Sequence, residues 1–112
     1  MSCNISQRAA VETERSLDST SFDGTDIPIG PPLAHPPVIM VFDNQTDVSV
    51  PLYVNTVLFK TFSAGDVFVL DMRANHGQAA NFGFDEGTRF STDASVGTTG
   101  SMRISVIYAR QL

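Results

Sequence analysis

The stretch Met102-Arg103-Ile104-Ser105-Val106-Ile107-Tyr108-Ala109 carries the clearest strand signal in the sequence. Every second residue from Met102 to Tyr108 is apolar, whereas Arg103 and Ser105 fall on the opposite phase. Such alternation is typical of a strand with one face in a core. Because the stretch lies close to the last residue, it would fray unless it paired inside a sheet. We therefore expect a paired strand here.

The residues that precede this stretch repeat the pattern of short apolar segments separated by turn formers. We predict further strands at 38–42, 48–54, 57–62, 66–72, 81–84 and 88–91. Asn55-Thr56 predicts a two-residue hairpin loop, and tight turns make residues 48–72 a three-stranded meander. Pro51 indicates an edge strand or a bulge. Seven short, evenly spaced strands predict an all-β domain over residues 38–112, an antiparallel β-sandwich or a small jelly-roll-like barrel.

The first 37 residues differ in character and predict an extended N-terminal arm. Residues 6–17 are polar with a thin apolar stripe, which favours a short helix or coil. Residues 27–37 hold five of the six prolines, so we expect an extended segment without a hydrogen-bonded partner of its own. Its apolar side chains then need a docking surface. The residues predicted to bind a partner are Ile27, Ile29, Pro31, Pro32, Leu33 and His35.

The charge balance excludes two classes of partner. The net charge is −5 and the sequence has a single lysine, whereas nucleic acids and anionic membranes select a basic face. Charged residues make up 17% of the chain, below the usual proportion of about 25%. This low value suits a protein with much surface inside an assembly, and equally a β-protein that uses Ser and Thr on its surface. We expect no signal peptide and no membrane span.

Residues with catalytic or metal-binding chemistry are scattered. His35 and His76 each lack a second ligand at metal-site spacing, and Cys3 has no histidine partner in sequence and cannot form an intrachain disulfide. No Gly-x-Ser-x-Gly motif occurs. We therefore expect no enzymatic activity, no cofactor and no resident metal. Acidic residues in loops leave a bridging calcium ion open.

Three segments carry a resemblance to a known class of protein. They are Val50-Pro-Leu-Tyr-Val-Asn-Thr-Val-Leu-Phe59, the turn Ser63-Ala-Gly-Asp66 and Gly100-Ser-Met-Arg-Ile-Ser-Val-Ile-Tyr108. With the arm and the proline-rich crossing, this layout resembles small β-sandwich accessory structural proteins of tailed-bacteriophage virions, of the capsid decoration or cement type. The resemblance implies a non-enzymatic homo-oligomer, a trimer in the favoured case, made in the host cytoplasm and located in the virion. Its partners would be the major capsid protein or other virion proteins.

Two other functions remain open from the sequence. The same module would serve as a neck, tail or fibre-attachment protein of the virion. Alternatively, a β-sandwich of this size would bind a carbohydrate or another small ligand. Such a module needs an exposed aromatic platform, and Tyr53 is the aromatic residue on the polar phase of its strand.

Overall fold

The computed structural model describes residues 7–72 and 84–111, and this part of the chain is built from short antiparallel strands with no α-helix. A 3₁₀ turn covers Ser19–Ser21. The strands are β1 Gln7–Val11, β2 Arg15–Asp18, β3 Ile27–Pro28, β4 Ile39–Asn44, β5 Val50–Val54, β6 Val57–Phe62, β7 Val67–Asp71, β8 Phe90–Thr92 and β9 Ser101–Gln111.

These strands form two sheets that pack face to face. One sheet has the order β1-β9-β4-β7, with β2 also paired to β9, and the other has the order β3-β8-β5-β6. If β1 and β2 count as one interrupted strand, this is the order of an eight-stranded jelly roll. The predicted fold class, an all-β antiparallel β-sandwich or small jelly-roll-like barrel, is therefore confirmed as a β-sandwich.

β9 is the strand around which its sheet is built. It pairs with β4 on one edge and with β1 and β2 on the other. Met102, Ile104 and Val106 are fully buried, as their alternation predicts. The expectation that this stretch pairs inside a sheet is confirmed.

Phenylalanine fills the space between the sheets. Phe42 lies at the centre of this cluster, with its ring centroid 5.8 Å from that of Phe62 and 6.1 Å from that of Phe90. Phe22 is also fully buried, which makes four such phenylalanines among residues 7–72 and 84–111. Aromatic side chains bury more area than any others, which lets a small domain build an adequate core.

The predicted hairpin at Asn55-Thr56 is present. Both residues adopt positive φ, 50° and 69°, as a two-residue hairpin turn that matches strand twist requires. Pro51, however, does not mark an edge, because β5 lies between β8 and β6. The other prediction for Pro51, a bulge, fits better. The register of β5 and β6 shifts between Leu52 and Tyr53, one residue after Pro51.

The predicted meander over residues 48–72 is wrong in its last step. β6 pairs with β5, but β7 pairs with β4 in the other sheet. The turn between β6 and β7 crosses from one sheet to the other because the end of β4 holds it: Gly65 donates to the Asn44 carbonyl at 2.8 Å and Asn44 donates to the Asp66 carbonyl at 2.9 Å. Of the two short strands predicted after residue 80, the one at 88–91 corresponds to β8. The other falls mainly outside the described residues, and Phe84 belongs to no strand.

The prediction of a short helix or coil at residues 6–17 is also wrong over residues 7–11 and 15–17. β1 and β2 occupy that segment and pair antiparallel with successive parts of β9. β9 spans eleven residues, and only one of its edges is used by β4. The backbone groups on its other edge need partners, and this requirement outweighs a weak local preference for helix.

The proline-rich segment is hydrogen-bonded within its own chain, contrary to expectation. Ile29 donates to the Phe90 carbonyl at 2.8 Å and Leu33 donates to the Thr88 carbonyl at 2.9 Å. The residues between these two donors are Gly30, Pro31 and Pro32. Proline has no backbone N–H, and neither proline occupies a position where β8 needs a donor. Ile29 and Leu33 belong to the same core cluster as Phe42, and the core therefore runs across the boundary predicted between residues 37 and 38.

Candidate functional site

One side of the sandwich is left open within the described part of the chain. β6 ends one sheet and β7 ends the other, and a short turn joins them, so the two edges lie side by side. Valine and leucine side chains on these strands face solvent: Val57 is 68% exposed, Leu58 53%, Val67 62% and Val69 58%. We call this surface the open edge. Unpaired strand edges with exposed apolar side chains mark sites of contact with other chains.

An aromatic layer lies directly beneath the open edge. The Phe59 ring centroid lies 6.4 Å from that of Phe68 on β7 and 5.9 Å from that of Phe84. The ammonium group of Lys60 lies 5.6 Å from the ring centroids of both Phe62 and Phe68. Because these rings pack on one another, they support the two edge strands from the core side.

The opposite side of the sandwich is sealed by a buried arginine. Arg15 is only 3% exposed. Its Nε donates to the Pro31 carbonyl at 2.9 Å, and its Nη2 donates to the Pro32 carbonyl at 3.0 Å and to Glu12 Oε1 at 2.7 Å. These bonds attach the proline-rich segment to β2. The two sides of the sandwich therefore differ in chemistry: buried polar hydrogen bonds close this side, whereas exposed apolar side chains cover the open edge.

Glu12 extends this attachment to His35. Its second carboxylate oxygen lies 2.8 Å from His35 Nδ1, and the His35 ring stacks on Tyr108 with centroids 3.7 Å apart. Burial alone would raise the pKa of the Glu12 carboxyl. Hydrogen bonds from His35 and Arg15 outweigh that effect and hold the pKa below its ordinary value. The carboxylate thus stays charged and keeps both partners in place.

The six residues predicted to bind a partner divide into three groups. Ile29 and Leu33 are buried in the core of their own chain, so the prediction that they contact a partner is wrong. Ile27 and His35 are half-buried. Pro31 and Pro32 are exposed, and with the exposed Pro28 and Pro36 they form an outward surface that we call the proline ridge.

Sequence reasoning missed the open edge, and the local pattern there indicates burial instead. Val57-Leu58-Phe59 is a continuous apolar run, and such a run predicts a strand covered on both faces. In the structure all three side chains are exposed by a third or more of their area. Only the pairing partners of β6 and β7, which the sequence does not reveal, show that these strands are edges.

A small cleft lies at the turn end of β5. Asp26, Tyr53, Thr56 and Asp93 line a volume of about 230 Å³. The Tyr53 hydroxyl donates to Asp93 Oδ2 at 3.1 Å, which raises the pKa of Tyr53. The predicted aromatic platform thus lies in a concave, acidic setting.

Within residues 7–72 and 84–111, no three His, Cys, Asp or Glu side chains converge as a metal site would require. Cys3 and His76 lie outside those residues. Among the described residues, no helix is long and apolar enough to cross a membrane. No protein-family model matches the chain, and no match was found among curated proteins or solved structures.

Proposed function

We propose that this chain is a non-enzymatic structural protein of a tailed-phage virion, a decoration or cement protein that binds and stabilises the capsid as a homo-oligomer. The observation that carries the proposal is the open edge, an apolar surface flanked by two unpaired strands in the described part of the chain. A compact module that shows such an edge is suited to contact with other chains.

The proline ridge supplies a second contact surface on the sealed side. Its prolines have few conformations to lose, and Arg15 holds the carbonyls of two of them. A surface that is already ordered binds without a further ordering cost. We assign the contact with a major capsid subunit to this ridge, in place of the extended arm that the sequence predicted.

Counting copies per particle tests the proposal. Virions of the phage that encodes the chain would be purified by density gradient and their proteins quantified by mass spectrometry. A decoration protein is present in many copies that follow the capsid symmetry. A single ring of copies would instead assign the chain to the neck, tail or fibre attachment, and its absence from intact particles would overturn any virion role.

A second function, carbohydrate binding, is favoured by the cleft at Tyr53. An aromatic ring beside the carboxylates of Asp26 and Asp93 offers a stacking face together with hydrogen-bond acceptors for hydroxyl groups. If this function holds, Tyr53→Ala lowers glycan affinity at least about tenfold, because the stacking face is lost.

The matched control for this prediction is Tyr53→Phe. It keeps the ring and removes only the hydroxyl that bonds Asp93. Glycan-array binding that survives in Tyr53→Phe and disappears in Tyr53→Ala supports the carbohydrate function. An array on which the wild-type protein binds nothing removes it.

A further inference from the structure

We propose that a second copy of this chain fills the open edge, with β6 of one copy running antiparallel to β7 of the next. This inference rests on the proposed function, because it uses the same surface, and it deepens that function by naming the partner. It assigns self-association to the open edge and leaves the proline ridge for the capsid.

The position of the two edges favours a closed oligomer. β6 and β7 lie on the same side of the sandwich and, joined by a tight turn, run in opposite directions. Rotation of a second copy about an axis parallel to the strands therefore brings its β7 antiparallel to β6. This is the pairing direction of every ladder in the sandwich. Two or three copies complete a ring, so the edges are covered without growth into a fibre.

The side chains on the two strands match in one register. Leu58 points away from the core, because its pairing partner Tyr53 lies between the inward-facing Leu52 and Val54. On β7, Val69 is exposed, whereas Phe68 and Leu70 pack against the core. Placing Leu58 opposite Val69 of a second copy keeps the inward faces aligned. Three of the resulting opposed pairs are apolar: Val57 with Leu70, Leu58 with Val69 and Phe59 with Phe68. The next pair places Lys60 opposite Val67.

Charge favours this arrangement over pairing between like strands. β6 carries Lys60, and the two ends of β7 are marked by Asp66 and Asp71. With Leu58 opposite Val69, Asp66 of the second copy lies opposite Thr61, beside Lys60, so β6 against β7 brings a cation towards one carboxylate. β7 against β7 of another copy, running antiparallel, would bring Asp66 towards Asp71. Opposite charges stabilise an interface and like charges destabilise it.

Sedimentation velocity over a concentration series tests the self-association. The wild-type protein is expected at two or three times the chain mass of 12.1 kDa. Leu58→Asp weakens association at least about tenfold, because it removes a buried leucine and places a charge at each contact. Val11→Asp is the matched control: Val11 is 70% exposed on β1, at the opposite edge of its sheet, so this variant keeps the wild-type mass.

Cysteine cross-linking tests which strands meet. In a Cys3→Ser background, one chain carries Leu58→Cys and another carries Val69→Cys. Opposed residues in an antiparallel ladder lie close enough for a disulfide, so a mixture of the two chains forms a cross-linked pair on oxidation. Either chain alone cross-links far less. Equal cross-linking by one chain alone would overturn the pairing of β6 with β7.

The outcomes separate this inference from the proposed function. A wild-type protein that stays monomeric at high concentration, or an oligomer that Leu58→Asp leaves intact, overturns the inference even if the chain decorates capsids. A cross-linked oligomer that is never found on virions overturns the virion role and leaves the edge contact standing. Circular dichroism of each variant verifies that the sandwich is folded.

Discussion

Replacement of Arg15 by alanine is expected to destabilise the fold by about 3–5 kcal/mol, because it leaves the Glu12 carboxylate without its buried cation. Two proline carbonyls lose their donors in the same step. The stem of Arg15 also supports the backbone at Gly30, where an added Cβ would lie 2.5 Å from Arg15 Cγ. The chain has no tryptophan, so chemical denaturation followed by far-UV circular dichroism measures the loss of stability.

The matched control for Arg15 is Arg103→Ala. Arg103 Nη1 lies 3.3 Å from Glu14 Oε1, but both side chains are 44% exposed. Water screens such a pair, so its loss costs about 0–1 kcal/mol. If the two variants lost the same stability, Arg15 would be an ordinary surface cation and the sealed side would need another explanation.

Gly100→Ala is expected to destabilise the fold by about 2–5 kcal/mol, because a left-handed backbone and a steric clash act together. Gly100 has φ +78°, and an added Cβ would overlap the backbone oxygen of Gln45. The two loops that meet at the clash cannot separate freely, since Ser19 donates to the Gly100 carbonyl at 3.0 Å and Gln45 donates to the Ser101 carbonyl at 3.1 Å. Thermal unfolding by calorimetry gives the change.

Gly87→Ala isolates the backbone contribution. Gly87 also has a positive φ, +87°, but an added Cβ would meet nothing within 4 Å. Its cost should be that of the left-handed conformation alone, about 1–2 kcal/mol. A Gly100 variant no less stable than the Gly87 variant would show that the two loops move apart easily.

Strand positions were predictable where apolar and polar residues alternate in the sequence. Met102, Ile104 and Val106 follow a two-residue period because each must face the core while its neighbours face outwards. The hairpin at Asn55-Thr56 was readable for a different reason, namely the tolerance of asparagine for positive φ. Both signals depend only on neighbouring residues, so the sequence alone reveals them.

The N-terminal residues were mispredicted because their structure is set by a distant strand. Nothing within residues 6–17 records that β9, almost a hundred residues later, has an edge without a partner. Likewise the prolines near Ile29 and Leu33 suggested an extended arm without a hydrogen-bonded partner in its own chain. Their spacing in fact leaves donors free at the two positions where β8 accepts.

The candidate site depends on pairing in the same way. Val57 and Leu58 lie in a strand that the sequence predicts, but only the sheet order shows that no described strand covers them. Pro31 and Pro32 lie at the surface, but the buried cation that holds their carbonyls was not foreseen. An arginine in a polar segment gives no sign, in sequence alone, that carbonyl oxygens will surround it.

The pairing of β1 with β9 has a consequence for how the domain connects to its surroundings. Gln7 lies opposite Gln111, so the polypeptide enters and leaves the sandwich at the same pole. A domain with adjacent entry and exit can be inserted into a loop of another protein without separating the ends of that loop. The same adjacency makes the sandwich a natural subject for circular permutation, in which the ends are joined and new ones are opened elsewhere.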